Sequence, residues 1–482
     1  MDLKKTKLVI FGATGDLTKR KLLPALYNLE AENLLPEDIK VIAVGRREII
    51  SDIYKEQALE AIKSFSRNKP DFTIINKLLE KIEYLKMDFT KDAEYQKLST
   101  LHADTKQVIF YLAVAPEFFE TITLNLKPFL KNFPLPPRVV IEKPFGYDLN
   151  SAIILNTLLV KTFGEKNIYR IDHYLGKEML QNIMFIRFGN TIFEPIWNRD
   201  YIEQIQIISS ETIGIETRGN YYERSGAIRD MLQSHLLQLV SLIAMDRPQD
   251  LKTETIRDEK VKVLSELIPL TLTEQKDYLV FGQYDRVGEI PAYREEKNVS
   301  PDSNTETFIA LRLLLNSKRW QGVPFYIMTG KRLPVKKTEI IIQFKKLPSP
   351  YNSEDLKNNQ LVFKIQPEEG VYLEFNAKKP GTMEEIVPVK MDFCQNCEVG
   401  INSPEAYERL LLDVIKGDAT LFTRWDEVEH SWRFVESIIS TRRKVKDFPN
   451  YLPFSWGPEA AKTMIERDNK VWLTLEEKYE NL

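Results

Sequence analysis

Apolar positions in the first third of the chain gather in short runs: Leu8–Phe11, Val41–Val44, Ile82–Leu85, Val108–Leu112, Val139–Ile141 and Ile168–Ile171, with helical stretches between most of them. That alternation predicts a doubly wound parallel sheet with covering helices. Past residue 200 the pattern changes. Helices are predicted at 225–244, 304–316, 404–416 and 425–440, mixed with strand-like runs at Ile202–Ile208, Glu339–Phe344, Gln360–Ile365 and Val371–Phe375. The expected fold class is α/β, with an N-terminal parallel-sheet domain over 1–174 and a larger C-terminal α+β domain, its sheet mainly antiparallel, over 175–482.

Length agrees with this division, because 482 residues exceed what one hydrophobic core usually serves. With 43% apolar and 28% charged residues, the composition is that of an ordinary globular protein. Lys and Arg total 67 against 70 Asp and Glu, a formal charge of −3, so no global field favours nucleic acid or a membrane surface and any anion site must be local. The apolar run after Lys7 ends at Gly12 and Asp16, too soon for a secretory signal. The richest apolar stretch, Leu236 to Met245, is broken by Gln238 and Ser241 and falls short of the roughly 18 residues of a membrane span. A cytoplasmic protein is expected. The two cysteines, Cys394 and Cys397, have a redox or half-zinc spacing, but no second pair exists and the nearest histidine is His430. They read as reduced bystanders.

The first chemical motif is Leu8-Val-Ile-Phe-Gly-Ala-Thr-Gly-Asp-Leu-Thr-Lys-Arg-Lys21, a strand, a glycine turn and a helix start. Gly12 and Gly15 would let the backbone approach a pyrophosphate at the positive end of the helix, as in a Rossmann-like domain. The pattern is Gly-x-x-Gly, which plain turns also produce. The second strand ends in Gly45-Arg-Arg47; an arginine there suits the 2′-phosphate of NADP, while Glu48 leaves NAD open. Val139-Val-Ile-Glu-Lys-Pro-Phe-Gly146 places Lys143 at the carboxyl end of another strand, within reach of cofactor or substrate, or simply at a strand exit.

The next strand leads into Arg170-Ile-Asp-His-Tyr-Leu-Gly-Lys-Glu178, which packs acid, imidazole, phenol and ammonium into six positions. Asp172 and His173 should point into different environments. If a helix begins here, His173, Tyr174 and Lys177 share a face and can converge on one phosphate. A metal site through Asp172, His173 and Glu178 would need further ligands that a chain with four histidines does not offer, and none is expected. Finally, Tyr221 to Gln238 opens a long helix with an apolar stripe of Ile228, Met231, Leu232, Leu239 and Leu242, in which His235 lies. A lone histidine on such a face is more often a core residue. Asp230, five positions earlier, stands roughly 140° around an α-helix, so spacing alone does not pair the two.

The runs Gly12-Ala-Thr-Gly-Asp-Leu-Thr-Lys-Arg-Lys-Leu22, Glu142-Lys-Pro-Phe-Gly146, Arg170 to Glu178, Ile192-Phe-Glu-Pro-Ile-Trp-Asn198, Gly226-Ala-Ile-Arg-Asp-Met-Leu-Gln-Ser-His235, Tyr407-Glu-Arg-Leu-Leu-Leu-Asp413 and Ser455-Trp-Gly-Pro-Glu-Ala-Ala461 resemble the glucose-6-phosphate dehydrogenase family, in the same order. The resemblance spans nearly the whole chain. It implies oxidation of the C1 hydroxyl of β-D-glucose 6-phosphate to the lactone with hydride transfer to NADP, the entry step of the oxidative pentose phosphate pathway. It implies further that His235 is the general base and Asp172 orients it. His173, Tyr174 and Lys177 would grip the 6-phosphate. Glu211 and Asp230 would accept hydrogen bonds from sugar hydroxyls, and Lys331 and Lys336 complete the substrate site. Gly12, Thr14, Gly15, Asp16, Leu17 and Arg46 would hold the coenzyme, with Lys143 and Pro144 between coenzyme and substrate. A homodimer or tetramer is implied too. Ser234 departs from the asparagine usual before the catalytic histidine. Two rival readings are a dehydrogenase of another hexose phosphate, or one preferring NAD, and a catalytically silent sugar-phosphate sensor.

Overall fold

The computed structural model describes all residues except 1–4, 132, 347, 352–355, 383–384, 395–401, 446 and 474–482. Cys397 and the side chain of Cys394 therefore lie outside the described residues. Two compact units are present. One comprises Met1–Glu178, Asp250–Arg257 and Asn402–Glu429; the other comprises Met179–Gln249, Asp258–Ile401 and His430–Leu482.

The first unit is built on β1 (Thr6–Phe11), β2 (Lys40–Gly45), β3 (Ile82–Lys86), β4 (Gln107–Leu112), β5 (Arg138–Ile141) and β6 (Ile168–Ile171). Each was legible as an apolar run, and β4 is buried along its whole length, as a strand covered on both faces must be. Pairing is parallel in the order β3-β2-β1-β4-β5-β6, the Rossmann arrangement, whose ligands sit at the carboxyl ends of the strands.

The second unit carries β7 (Ile202–Ser210), β8 (Leu279–Gly282), β9 (Phe308–Leu313), β10 (Phe325–Gly330), β11 (Lys337–Phe344), β12 (Gln360–Gln366), β13 (Gly370–Lys378) and β14 (Ile386–Cys394). Their order is β14-β13-β12-β11-β7-β10-β9-β8, antiparallel except where β7 meets β10. A last short strand, β15 (Phe422–Thr423), pairs antiparallel with β6 and extends the first sheet. The helix expected at 304–316 is instead β9, hydrogen-bonded to β8 and β10. Its run Phe308-Ile-Ala-Leu-Arg-Leu313, apolar but for Arg312, is too short for periodicity to separate a buried strand from a buried helix, and the neighbouring strands decide. Among the described residues no helix is long and apolar enough to cross a membrane.

Candidate active site

In the first unit the register aligns the carboxyl ends of three strands: Phe11 stands opposite Val44 on one side and Leu112 on the other. The chain turns there at Gly12, whose φ is +93°, and a Cβ would stand 2.2 Å from the Ala113 carbonyl oxygen, so only glycine fits. The N–H groups of Gly12 and Ala13 donate to Val44 O at 3.0 and 2.9 Å, and Gly15 N–H donates to Gly12 O at 2.9 Å. Thr14 and Gly15 then lead into helical winding that takes in Asp16 and Leu17 and continues through Thr18–Leu22; the first N–H groups of such a winding have no partner within the helix. Asp16 is exposed and pairs with Arg20 at 2.9 Å.

Arg46 follows β2 and is exposed at the same end of the sheet. Its guanidinium lies 5.3 Å from the Phe89 ring centre and 5.4 Å from that of Phe118, so two aromatic rings hold the planar fork. Glu48 is exposed and lies 3.9 Å from Lys86. The cradle of backbone at Gly12, at the carboxyl ends of the strands, fits a dinucleotide.

Lys143 follows β5. Beside it, the Glu142 carboxylate accepts from Tyr111 Oη at 2.6 Å and Tyr407 Oη at 3.3 Å. Burial pushes its pKa up to about 7, opposed by those two hydroxyls and by Lys143, with the Asp172 charge adding to the rise. Neither tyrosine was singled out as a site residue: Tyr111 sits inside an apolar run, and Tyr407 is almost 300 positions further along.

After β6, Asp172 to Lys177 form a turn, and the helix starts only at Glu178. The anticipated shared helical face at His173 is therefore absent. Leu175 N–H bonds to Asp172 O and Lys177 N–H to Tyr174 O, while Asp172 Oδ1 accepts from Tyr174 N–H at 3.0 Å, the turn-forming habit of aspartate. The grouping survives by other means. His173 meets the Tyr174 ring edge-on at 5.1 Å, and Lys177 Nζ lies 4.9 Å from that ring's centre. Asp172 is buried at 3% exposure and His173 is half-buried; because they stand in a turn and not in a strand, alternation does not part them, and a carboxylate oxygen of the one lies within 4.8 Å of a ring nitrogen of the other.

In the second unit, Ser210 pairs with Gly330 on β10 and with Lys337 on β11, so the residues following β7 and β10 emerge side by side. Those residues are Glu211 and Lys331, and they form an ion pair. Lys331 Nζ also lies 5.2 Å from the Tyr222 ring centre. Lys336 is exposed, while Lys337 is taken up by Glu339 at 2.7 Å.

His235, at 1% exposure, lies in Ile228–Leu236, which is not an ordinary α-helix. It has π-type winding that closes with Leu237 N–H on Leu232 O. An i-to-i+5 turn returns to nearly the same side of the axis after five residues, so Asp230 and His235, set roughly 140° apart by α winding, share a side. The expected separation is thus corrected by the winding, of a kind frequent at functional sites. Asp230 accepts from Tyr221 Oη at 2.9 Å, and Ser234 Oγ donates to Asp230 O at 2.9 Å.

A Rossmann-type sheet with a glycine turn after its first strand and an arginine after its second, joined in one chain to a mainly antiparallel α+β unit, defines the class: a dinucleotide-binding protein with a separate catalytic or ligand-binding unit. Residues 9–182 match the glucose-6-phosphate dehydrogenase NAD binding domain and residues 184–473 the C-terminal domain of the same family. The chain belongs to the glucose-6-phosphate dehydrogenase family. It is 47% identical to glucose-6-phosphate 1-dehydrogenase of Bacillus subtilis, over 97% of this chain and 98% of the relative, and 42% identical to that of Chlamydia pneumoniae, over 97% and 96%. A solved glucose-6-phosphate dehydrogenase in complex with its substrate glucose-6-phosphate is similar at a TM-score of 0.86 and 36% identity, covering 94% of this chain and 95% of that one. Glucose-6-phosphate 1-dehydrogenase from Mycobacterium avium gives 0.83 and 33%, covering 97% and 98%. Gal80p of Saccharomyces cerevisiae, at a TM-score of 0.53 and 8% identity, shares the fold alone.

Proposed function

We propose that this chain oxidises the C1 hydroxyl of β-D-glucose 6-phosphate to 6-phospho-D-glucono-1,5-lactone using NADP, whose nicotinamide accepts the hydride at C4. The observation that carries the reading is His235, a buried imidazole on a π-wound turn beside Asp230. A lone buried histidine is more often a core residue, but π winding is frequent at functional sites, and a general base needs an imidazole so placed. In this reading His235 takes the C1 hydroxyl proton. Asp172 holds the imidazole in the right tautomer and stabilises its charge. His173, Tyr174 and Lys177 grip the phosphate as charge-assisted donors, with Lys331 and Lys336 completing that grip and Glu211 and Asp230 orienting the sugar hydroxyls. Gly12 and the turn after it, Lys143 and Arg46 receive the coenzyme, and Arg46 selects for its 2′-phosphate. The relative solved with glucose-6-phosphate supports the substrate. The proposed assembly is a homodimer or tetramer in the cytoplasm.

Steady-state rates with glucose 6-phosphate, galactose 6-phosphate and free glucose, each with NADP and with NAD, test the proposal. Glucose 6-phosphate with NADP is expected to give the highest kcat/KM. A higher value with galactose 6-phosphate, or with NAD, would replace the substrate or the cofactor named here, and no turnover with any of them would favour the silent sensor.

A further inference from the structure

Where the π-wound segment begins decides which way Asp230 and His235 point, and that beginning is built from an unusual set of parts. The helix before it, Gly219–Ala227, is interrupted at Gly226, with φ 61° and ψ −179°, a conformation open essentially to glycine. A Cβ there would come within 2.2 Å of Glu306 Oε1. Glu306 itself is 3% exposed. Its backbone carbonyl accepts from Ala227 N–H at 3.0 Å, and its Oε1 accepts from Ile228 N–H at 3.1 Å. Oε2 accepts from the buried Arg442 Nε at 2.9 Å. One residue thus satisfies, from outside the helix, the amide of Ala227 just before the segment and that of Ile228 at its start, and a carboxylate there is favoured by the positive end of the helix.

The next residue ties the same strand entry to the substrate lysine. Thr307 O accepts from Lys331 N–H at 3.0 Å, and Tyr451 Oη joins Thr307 Oγ1 at 2.9 Å and Lys331 O at 2.8 Å. The segment at the head of β9 therefore fixes both the start of the turn bearing His235 and the backbone of Lys331.

We propose that Glu306 is a positioning residue for His235: its side chain sets the start, and hence the rotation, of the π-wound turn, while Arg442 holds that side chain in place. This rests on His235 being the general base. The role needs an acceptor at the Ile228 amide more than it needs a charge, and two variants separate these. Glu306→Asp keeps the charge for Arg442 but draws the carboxylate back by one carbon–carbon bond, so that it no longer reaches Ile228. Glu306→Gln combined with Arg442→Met removes both charges but leaves an amide oxygen for Ile228. The measurement is kcat and KM with glucose 6-phosphate and NADP, together with the Kd for NADP. Glu306→Asp is expected to lower kcat by about tenfold or more, as small misplacements of a reacting group do, with the NADP Kd unchanged. The paired variant is expected to stay within about threefold of the parent. In a His235→Asn background, Glu306→Asp is expected to cost nothing further, since the two act as a unit. The proposal is overturned if Glu306→Asp leaves kcat unchanged, if the paired variant loses as much activity as Glu306→Asp or fails to fold, or if the loss is as large without His235. An unaltered kcat for His235→Asn alone would remove the general base, and with it the underlying reading, whatever Glu306 does.

Discussion

The guanidinium of Arg46 and the carboxylate of Glu142 show how single groups at the carboxyl ends of the strands take on their roles from their neighbours. Arg46 is exposed yet held over two phenyl rings, which under the proposed reading preorganise its fork for the 2′-phosphate at little entropic cost. Arg46→Ala is expected to weaken NADP by about tenfold or more while leaving NAD little changed, measured as Kd by fluorescence titration; equal losses would mean that the 2′-phosphate is held elsewhere. Glu142 titrates at about 7 in the folded chain against an ordinary 4.5, chiefly through burial. Between those values the folded state binds a proton that the unfolded state has lost, so this group makes stability fall as pH rises to about 7 and has no further effect above. Glu142→Gln removes that loss. Calorimetry should show the melting temperature of the variant, relative to the parent, climbing from about pH 5 to about pH 7 and then levelling; a constant difference across that range would refute the assignment.

At the scale of elements, the strands of the first sheet were legible because each is an apolar run bounded by turns. Elsewhere the deciding information is not local. Phe308–Leu313 is equally apolar as a strand or a helix, and the flanking strands β8 and β10 choose between them. The π winding at Ile228–Leu236 depends on Gly226 and Glu306, which are 80 residues apart in number and adjacent in space; Glu306 was hidden in the segment misread as a helix. The turn at Asp172 replaced a helix start because the aspartate accepts its own neighbours' amide. The helix Ala406–Lys416 was anticipated, but not its partners. It buries Glu408, whose carboxylate accepts from Asn28 Nδ2 and from Arg67 Nε and Nη2, each at 2.8 Å. Glu408→Ala leaves Arg67 with Glu32 as its remaining acid and is expected to destabilise the protein by about 3 kcal/mol, read from the denaturation midpoint in urea.

Across the whole molecule, the chain does not finish one unit before starting the other. Asp250–Arg257 and Asn402–Glu429 return to the first unit, where the latter supplies β15 to the sheet edge and Tyr407 to Glu142. No composition shift or linker marks these returns, since they are held by pairings with residues hundreds of positions away. Motifs were more legible than topology: the glycine turn, Arg46 after its strand and the run from Arg170 are each a short continuous stretch, and the family they resemble is the family to which the chain belongs. The proposed chemistry turns on one imidazole, that of His235, so a single substitution tests it. The measurement is the turnover number of His235→Asn with glucose 6-phosphate and NADP, alongside the Kd for glucose 6-phosphate. A fall in kcat on the order of a thousandfold, with the sugar phosphate still bound, is expected for loss of a general base with intact contacts. An unchanged turnover number would contradict the account.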